Sequence, residues 1–226
     1  VSELAFLSPL DATAIQLAMQ DLTTTNFVGQ VRGNAAGTTH ELSDFALRYL
    51  RKTLAISDTE RSAVQAQRQQ LYLVGDGLQV AHQLNPYSPE TIDIRGAGDY
   101  SAARMLREAI ELGASGRVAE GLVMCSEAAE LAPGYHEAAR IEAQLQELAT
   151  NYFEANEAYA KARDLAPDSP YVAYFLGKFL ISSGFDRARG LRELQRCANL
   201  DPHSSLVQAE VAIAHIATED YYTAMD

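Results

Sequence analysis

Three similar phrases recur at spacings of 34 and 35 residues: CSEAAELAP ends at Pro133, YAKARDLAP at Pro167 and LQRCANLDP at Pro202. A period of this length constrains a fold more than composition does, because each period is one small unit that hides its apolar face only against its neighbours. Upstream of each proline lies an amphipathic stretch of about four turns, and another precedes it. The first stretch of each pair runs out near Gly116, Thr150–Asn151 or Gly184. The second stops before proline, which cannot continue a helix and restricts its predecessor. The pattern predicts stacked helical hairpins over residues 99–226.

The proline, alanine and aromatic positions of these units resemble the tetratricopeptide repeat family. With Pro167 as the terminal proline, Ala143 lies in a first helix and Ala155 and Ala162 in a second, with Tyr152 and Tyr159 between them. In the next unit YVAYFLGKFLISSG places Leu176–Gly177 at the family's leucine–glycine pair, and an extra residue falls around Asp186–Gly190. Ala212 and Ala224 take the small positions of a further unit, and EDYYTA (Glu219–Ala224) reads as the turn into its second helix. The units are 99–133, 136–167, 170–202 and an incomplete 205–226. Val1 in a helical context and Asp226 in mid-hairpin read as the ends of a segment cut from a longer chain. Cys125 and Cys197 stand among small apolar residues of second helices and read as packing residues.

Residues 1–56 follow another pattern. DATAIQLAMQDL (11–22) predicts a helix with Asp11 as N-cap and Ile15, Ala18, Met19 and Leu22 on one face. Residues 26–32 and His40–Leu42 predict two short strands around the turn GNAAGTT. Ser43 offers an N-cap for DFALRYLRKTLAI, with Phe45, Leu47, Tyr49, Leu50 and Leu54 as its apolar contacts. Helix, hairpin, helix is the back half of a winged helix. The run NFVGQVRGNAAGTTHELSDFALRYLRKTL resembles the winged-helix module that follows the nucleotide-binding core of STAND-type signalling ATPases, the class of bacterial NLR-like proteins. The resemblance covers residues 3–55. It departs at Ser43, where that class has histidine; His40 lies three residues earlier, so no nucleotide-sensing histidine is assigned. Residues 57–98 read as a helical bridge. A long helix over 58–84 starts at Ser57 or Asp58 and ends before Pro86, with Gly75 and Gly77 weakening its middle enough to split it. The connector 85–98 is expected to be helical rather than a flexible linker, with Tyr87, Ile92 and Ile94 docking on the repeats. The fold class is thus mainly α: a tetratricopeptide-like α-solenoid preceded by a small winged-helix-like α+β region.

The motifs of catalysis are missing. Gly177–Lys178 is no P-loop, since Val172 stands where its first glycine belongs and Phe179 where it needs serine or threonine. Gly96 and Gly98 lack the third glycine of a dinucleotide fingerprint. Histidines 40, 82, 136, 203 and 215 are scattered, and neither HExxH, CxxC nor GxSxG occurs. Carboxylate pairs such as Glu127/Glu130 and Glu154/Glu157 stand at helical spacing and read as solvated faces. No catalytic residue, metal site or cofactor is expected, so the chain reads as no enzyme. The net charge is −12, with 7 basic against 10 acidic side chains in residues 1–98 and 11 against 20 in residues 99–226. That balance opposes nucleic-acid binding. The longest apolar run, Tyr171–Ile181, is too short to span a bilayer and contains Lys178. Nothing marks a signal peptide, and two cysteines make no disulfide framework, so a cytoplasmic location is expected.

The tetratricopeptide resemblance implies a concave groove lined by first helices and a protein or peptide ligand in it. The family register places Arg140, Gln144, Glu147, Tyr171, Tyr174 and Lys178 in that groove. Gln144 and Lys178 replace the asparagine-type position of the family's carboxylate clamp, so a chaperone-tail ligand is not expected. The two resemblances together imply a sensor segment of a larger cytoplasmic signalling ATPase, with the winged helix touching an absent nucleotide-binding domain and a role in antiphage defence. The alternative is a free-standing tetratricopeptide adaptor or winged-helix transcription regulator. Its weakness is the candidate recognition helix 11–22, which has Asp11 and Asp21 and no lysine or arginine.

Overall fold

Each hairpin turns where the chain leaves its first helix in the left-handed region, at Gly116 (φ 82°), Thr150 (φ 62°) and Gly184 (φ 69°). Glycine adopts that conformation without strain, whereas the β-branched Thr150 does so at a cost. The computed structural model describes residues 12–25, 27–32, 38–43, 46, 48–50 and 57–218. Helix α1 is Ala12–Thr24. Strands β1 (Val28–Arg32) and β2 (Thr38–Leu42) pair antiparallel, Val28 opposite Leu42 and Arg32 opposite Thr38. Helix α2 runs over Asp58–Leu84. A 3-10 turn at Ala97–Asp99 leads into α3 (Tyr100–Ala114) and α4 (Val118–Leu131). Then come α5 (His136–Leu148), α6 (Tyr152–Leu165), α7 (Pro170–Ser182), α8 (Arg187–Leu200) and α9 (Ser205–Ala217).

Helices α3 and α4, α5 and α6, and α7 and α8 pair as antiparallel neighbours, and α9 packs on α8 and α7. This is a tetratricopeptide-like array of helical hairpins. Small residues let the pairs close: Ala143, Ala155 and Ala162 are fully buried. A Cβ on Gly177 would lie 2.7 Å from Leu194 Cγ and 3.1 Å from the Gly190 carbonyl oxygen, so α7 and α8 touch almost backbone to backbone. Two continuous cores result. One joins α2, the connector, the first hairpin and α5 through Leu71, Leu78, Ile92, Ile94, Leu106 and Ile141. The other runs from Tyr87 through Tyr159, Phe175, Phe179, Leu194 and Val207. Cys125 and Cys197 are buried free thiols within these cores. Burial pushes their thiols up, to about 12 and about 11.

Helix α2 is a single helix, not a hairpin broken at Gly75 or Gly77. Its cap is Ser57, whose hydroxyl accepts from Glu60 N (3.2 Å) while Ser57 N donates to the Glu60 carboxylate (2.9 Å). Gly75 is where α2 meets α3: a Cβ there would sit 2.3–2.4 Å from three ring atoms of Tyr100. That ring is pinned by its hydroxyl, which donates to Asp76 Oδ1 at 2.5 Å, and by the Tyr72 ring at 5.5 Å. Gly77 has open space at the same point. Chemical denaturation should therefore give opposite signs two residues apart. Gly77→Ala should add about 0.5–1 kcal/mol through helix propensity. Gly75→Ala should lose about 1–2 kcal/mol, because the clash outweighs the same propensity gain. Equal stabilisation by both would mean that α2 does not rest on Tyr100.

The connector corrects an expectation. Residues 85–96 are irregular backbone with isolated turns rather than a helical bridge, although Tyr87, Ile92 and Ile94 do dock, at 7%, 0% and 5% exposure. The prolines at 86 and 89 explain it, since neither continues a helix and each biases its predecessor to extended backbone. In the first part of the chain α1 and the β1–β2 ribbon are present. Helix α1 meets α4 through Gln16 Nε2, which donates to the Glu130 carbonyl (3.0 Å), and Ile15, Met19 and Val28 form a small cluster of their own. Ser43 Oγ accepts from Ala46 N at 3.3 Å, as an N-cap does, and Arg48–Leu50 are helical. The expected cap Asp11, the rest of the helix expected over 44–56, and the turn Glu219–Ala224 fall outside the described residues.

Candidate functional site: a groove shared with the connector

The first helices of three successive hairpins wall one cavity of about 470 Å³. Helix α3 contributes Ile110 and Ala114, α5 contributes Ile141, Gln144, Leu145, Glu147 and Leu148, and α7 contributes Tyr174, Phe175, Lys178, Phe179 and Ser182. Tyr159 reaches in from α6, and Tyr87, Pro89 and Glu90 of the connector close one side. The floor is apolar. Residues i, i+3, i+4 and i+7 of α5 share a face, and so do 174, 175, 178 and 182 of α7, so a helical stripe from each element meets in the same hollow.

Four of the six groove residues named from the sequence line this cavity: Gln144, Glu147, Tyr174 and Lys178. Lys178 Nζ pairs with Glu210 of α9 at 2.8 Å and lies 5.3 Å from the Tyr174 ring centre. Glu147 accepts a long bond from Tyr159 OH (3.4 Å), and burial pushes its carboxyl above the ordinary range.

Arg140 and Tyr171 are placed differently. Both meet the chain's own connector, not the open cavity. Arg140 is 1% exposed. Its Nε donates to both Glu137 carboxylate oxygens at 2.9 Å, and its Nη2 donates to Glu137 Oε2 (2.5 Å) and to the Thr91 carbonyl (2.6 Å). The guanidinium also lies 4.7 Å from the Phe175 ring centre. Tyr171 is half-buried against His82 (4.5 Å) and Tyr87 (5.5 Å). Register alone put both on the groove face, and both are there; the connector then covers them.

The connector is held as an extended peptide would be. Tyr87 packs against Tyr174 at 4.7 Å and its hydroxyl donates to Asp201 Oδ2 at 2.6 Å. Tyr135 OH donates to the Asp93 carbonyl (2.5 Å), and Arg95 Nη1 donates to the Gly134 carbonyl (3.1 Å). Asp93 turns its carboxylate toward two imidazoles, His82 Nε2 at 3.7 Å and His136 Nε2 at 3.6 Å, both longer than a hydrogen bond. Burial lowers the His82 pKa, against the pull of Asp93 and Glu137. Residues 85–95 thus cross from α7 to α5 against the order of the hairpins. Sequence reading missed Glu137 as the buried partner of Arg140, and Phe175 and Phe179 as cavity-lining residues. A charge three residues before Arg140, at ion-pair spacing within one helix, was the available signal for the first.

No family model matches the chain, and no curated protein does. Solved structures with a similar course include an O-GlcNAc transferase mutant (K341M) of Thermobaculum terrenum, at 26% identity and a TM-score of 0.45. The match takes in 55% of this chain, which spans 23% of the transferase's length. A MamA fragment from Desulfovibrio magneticus RS-1 has 17% identity and a TM-score of 0.47 over 69% of this chain and 89% of its own. A MamA double mutant labelled RS-1 has 15% identity and a TM-score of 0.47 over 80% and 85%. At these scores the fold assignment rests on the helix pairing itself.

Proposed function

We propose that this chain is a non-catalytic protein-binding scaffold whose groove takes an extended peptide segment of a partner. The observation that carries this is the cavity walled by three consecutive first helices. The connector beside it supports the same reading, because a polypeptide in irregular, extended form already lies on that face, anchored by one aromatic ring and by side-chain donors to its carbonyls. Rigid tyrosines and phenylalanines in a hollow are favoured contact anchors. The finer reading is a sensor segment of a cytoplasmic STAND-type signalling ATPase in antiphage defence. It rests on the phrase ELSDFALRYLRKTL and on the α1–ribbon arrangement before it. A P-loop encoded upstream of residue 1 in the parent gene would support it, and a parent gene without one would remove it. Among the described residues no helix is long and apolar enough to cross a membrane.

Peptides selected from a phage-displayed library on the wild-type chain test the groove. Ala114 and Ser182 are exposed and sit on opposite walls. Ala114→Trp and Ser182→Trp fill the hollow from exposed positions on its walls, and each should weaken the selected peptides about tenfold or more. Peptides that bind both variants as well as the wild type would place recognition elsewhere.

A further inference from the structure

The rim of the cavity carries more negative charge than the chain neutralises. Glu90 from the connector and Glu147 from α5 both line it, and among the described residues Lys178 is the one basic side chain in its walls. Glu210 holds the Lys178 ammonium at 2.8 Å, and Tyr174 faces the same cation, so its charge is already matched within the chain. Among the described residues neither Glu90 nor Glu147 has an ion-pair partner. Glu147 has the long bond from Tyr159 OH and feels the charge of Lys178 without a contact ion pair, and it is half-buried over an apolar floor. Holding a carboxylate there costs desolvation that a neighbouring cation would offset. The hollow below, floored by Ile141, Leu145 and Phe179, fits an apolar or aromatic side chain.

We propose that the groove ligand is a cationic peptide, in which an arginine or lysine beside an apolar or aromatic anchor places its charge at Glu147 and Glu90 while the anchor fills the hollow. This rests on the peptide-binding reading above and gives the partner its chemistry. Selectivity follows from the pairing. An acidic peptide would bring a third carboxylate to Glu147 and Glu90 and would have to take Lys178 from Glu210. A neutral peptide keeps the anchor but leaves Glu147 without a contact ion pair.

Three fluorescein-labelled octapeptides separate these cases by fluorescence anisotropy at 150 mM salt, each with a central phenylalanine flanked by two arginines, two glutamines or two glutamates. The arginine peptide should bind about tenfold more tightly than the glutamine peptide, with the glutamate peptide weakest. The chain is acidic overall, so general attraction must be separated from the site. Glu147→Gln should remove most of the arginine preference, whereas Glu154→Gln on the exposed face of α6 should keep it. Circular dichroism melts of both variants check that they fold. Equal loss in the two variants would overturn the proposal in favour of bulk charge. Tightest binding of the glutamate peptide would overturn it in favour of Lys178. Equal binding of all three, weakened by Ser182→Trp, would keep the peptide groove and overturn its charge preference. Absence of binding by all three would overturn both.

Discussion

Replacing Glu137 with glutamine should destabilise the chain by about 3–5 kcal/mol, the cost of leaving one member of a buried ion pair without the other. Glu137 and Arg140 are each 1% exposed, and three donor–acceptor contacts join them within one turn of α5. Without the carboxylate, the guanidinium keeps only the Thr91 carbonyl and the Phe175 ring. For a chain of this length that loss corresponds to a fall in Tm of about 10 °C. The double variant Glu137→Met with Arg140→Met should recover much of it, because an apolar pair avoids the desolvation of both charges. A single-variant loss under about 1 kcal/mol would mean that water reaches Arg140. The pH dependence carries the same signature. Burial raises the Glu137 carboxyl, but Arg140 and His136 outweigh it and hold it at about 2, below the ordinary 4.5. A depressed carboxyl stabilises the fold above its unfolded value and loses that contribution as pH falls through the folded one. Urea midpoints of the wild type should therefore drop between about pH 4.5 and pH 2, and those of Glu137→Gln should lack this component.

Tyr87→Ala should cost about 3–5 kcal/mol, the range for emptying a buried aromatic site. The ring is 7% exposed, lies between Tyr171 and Tyr174, and its hydroxyl bonds Asp201 at the end of α8. Tyr87→Phe isolates the hydroxyl and should cost only about 1 kcal/mol. The larger consequence is local. Tyr87 is the connector's anchor on the third hairpin, whereas Ile92 and Ile94 anchor it on the first core. Hydrogen exchange in Tyr87→Ala should show the amides of Ser88, Glu90 and Thr91 losing protection while α3 and α4 keep theirs. It should also open the covered part of the groove at Tyr171. Unchanged exchange in the connector would show that Thr91, Asp93 and Arg95 hold it without the ring.

Much of the hairpin array is legible in the residues, because its causes are local. Proline after each second helix, a left-handed turn residue after each first helix, and alanine or glycine at the seam act within one period. Repetition then multiplies a weak signal. Gln144, Glu147, Tyr174 and Lys178 follow from the same register, since a helical stripe has a computable face. The connector is harder to read. Its prolines announce irregular backbone, yet its apolar residues suggested a helix, because docking of either form needs the same tyrosine and isoleucines. Gly75 misleads in a similar way: as a helix residue it weakens α2, and only the Tyr100 ring 25 residues away shows why it is there.

The amino-acid order by itself determined a stack of amphipathic helix pairs with an aromatic-lined inner face, because periodic burial is written into every unit. Only the tertiary structure decided how much of that face stays open. Coverage of Arg140 and Tyr171 by residues 85–95 depends on long-range contacts, such as Tyr87 with Asp201 and Arg140 with Thr91, whose partners lie 114 and 49 residues apart. No local pattern records such a pairing, since each partner satisfies its own helix or loop equally well without the other.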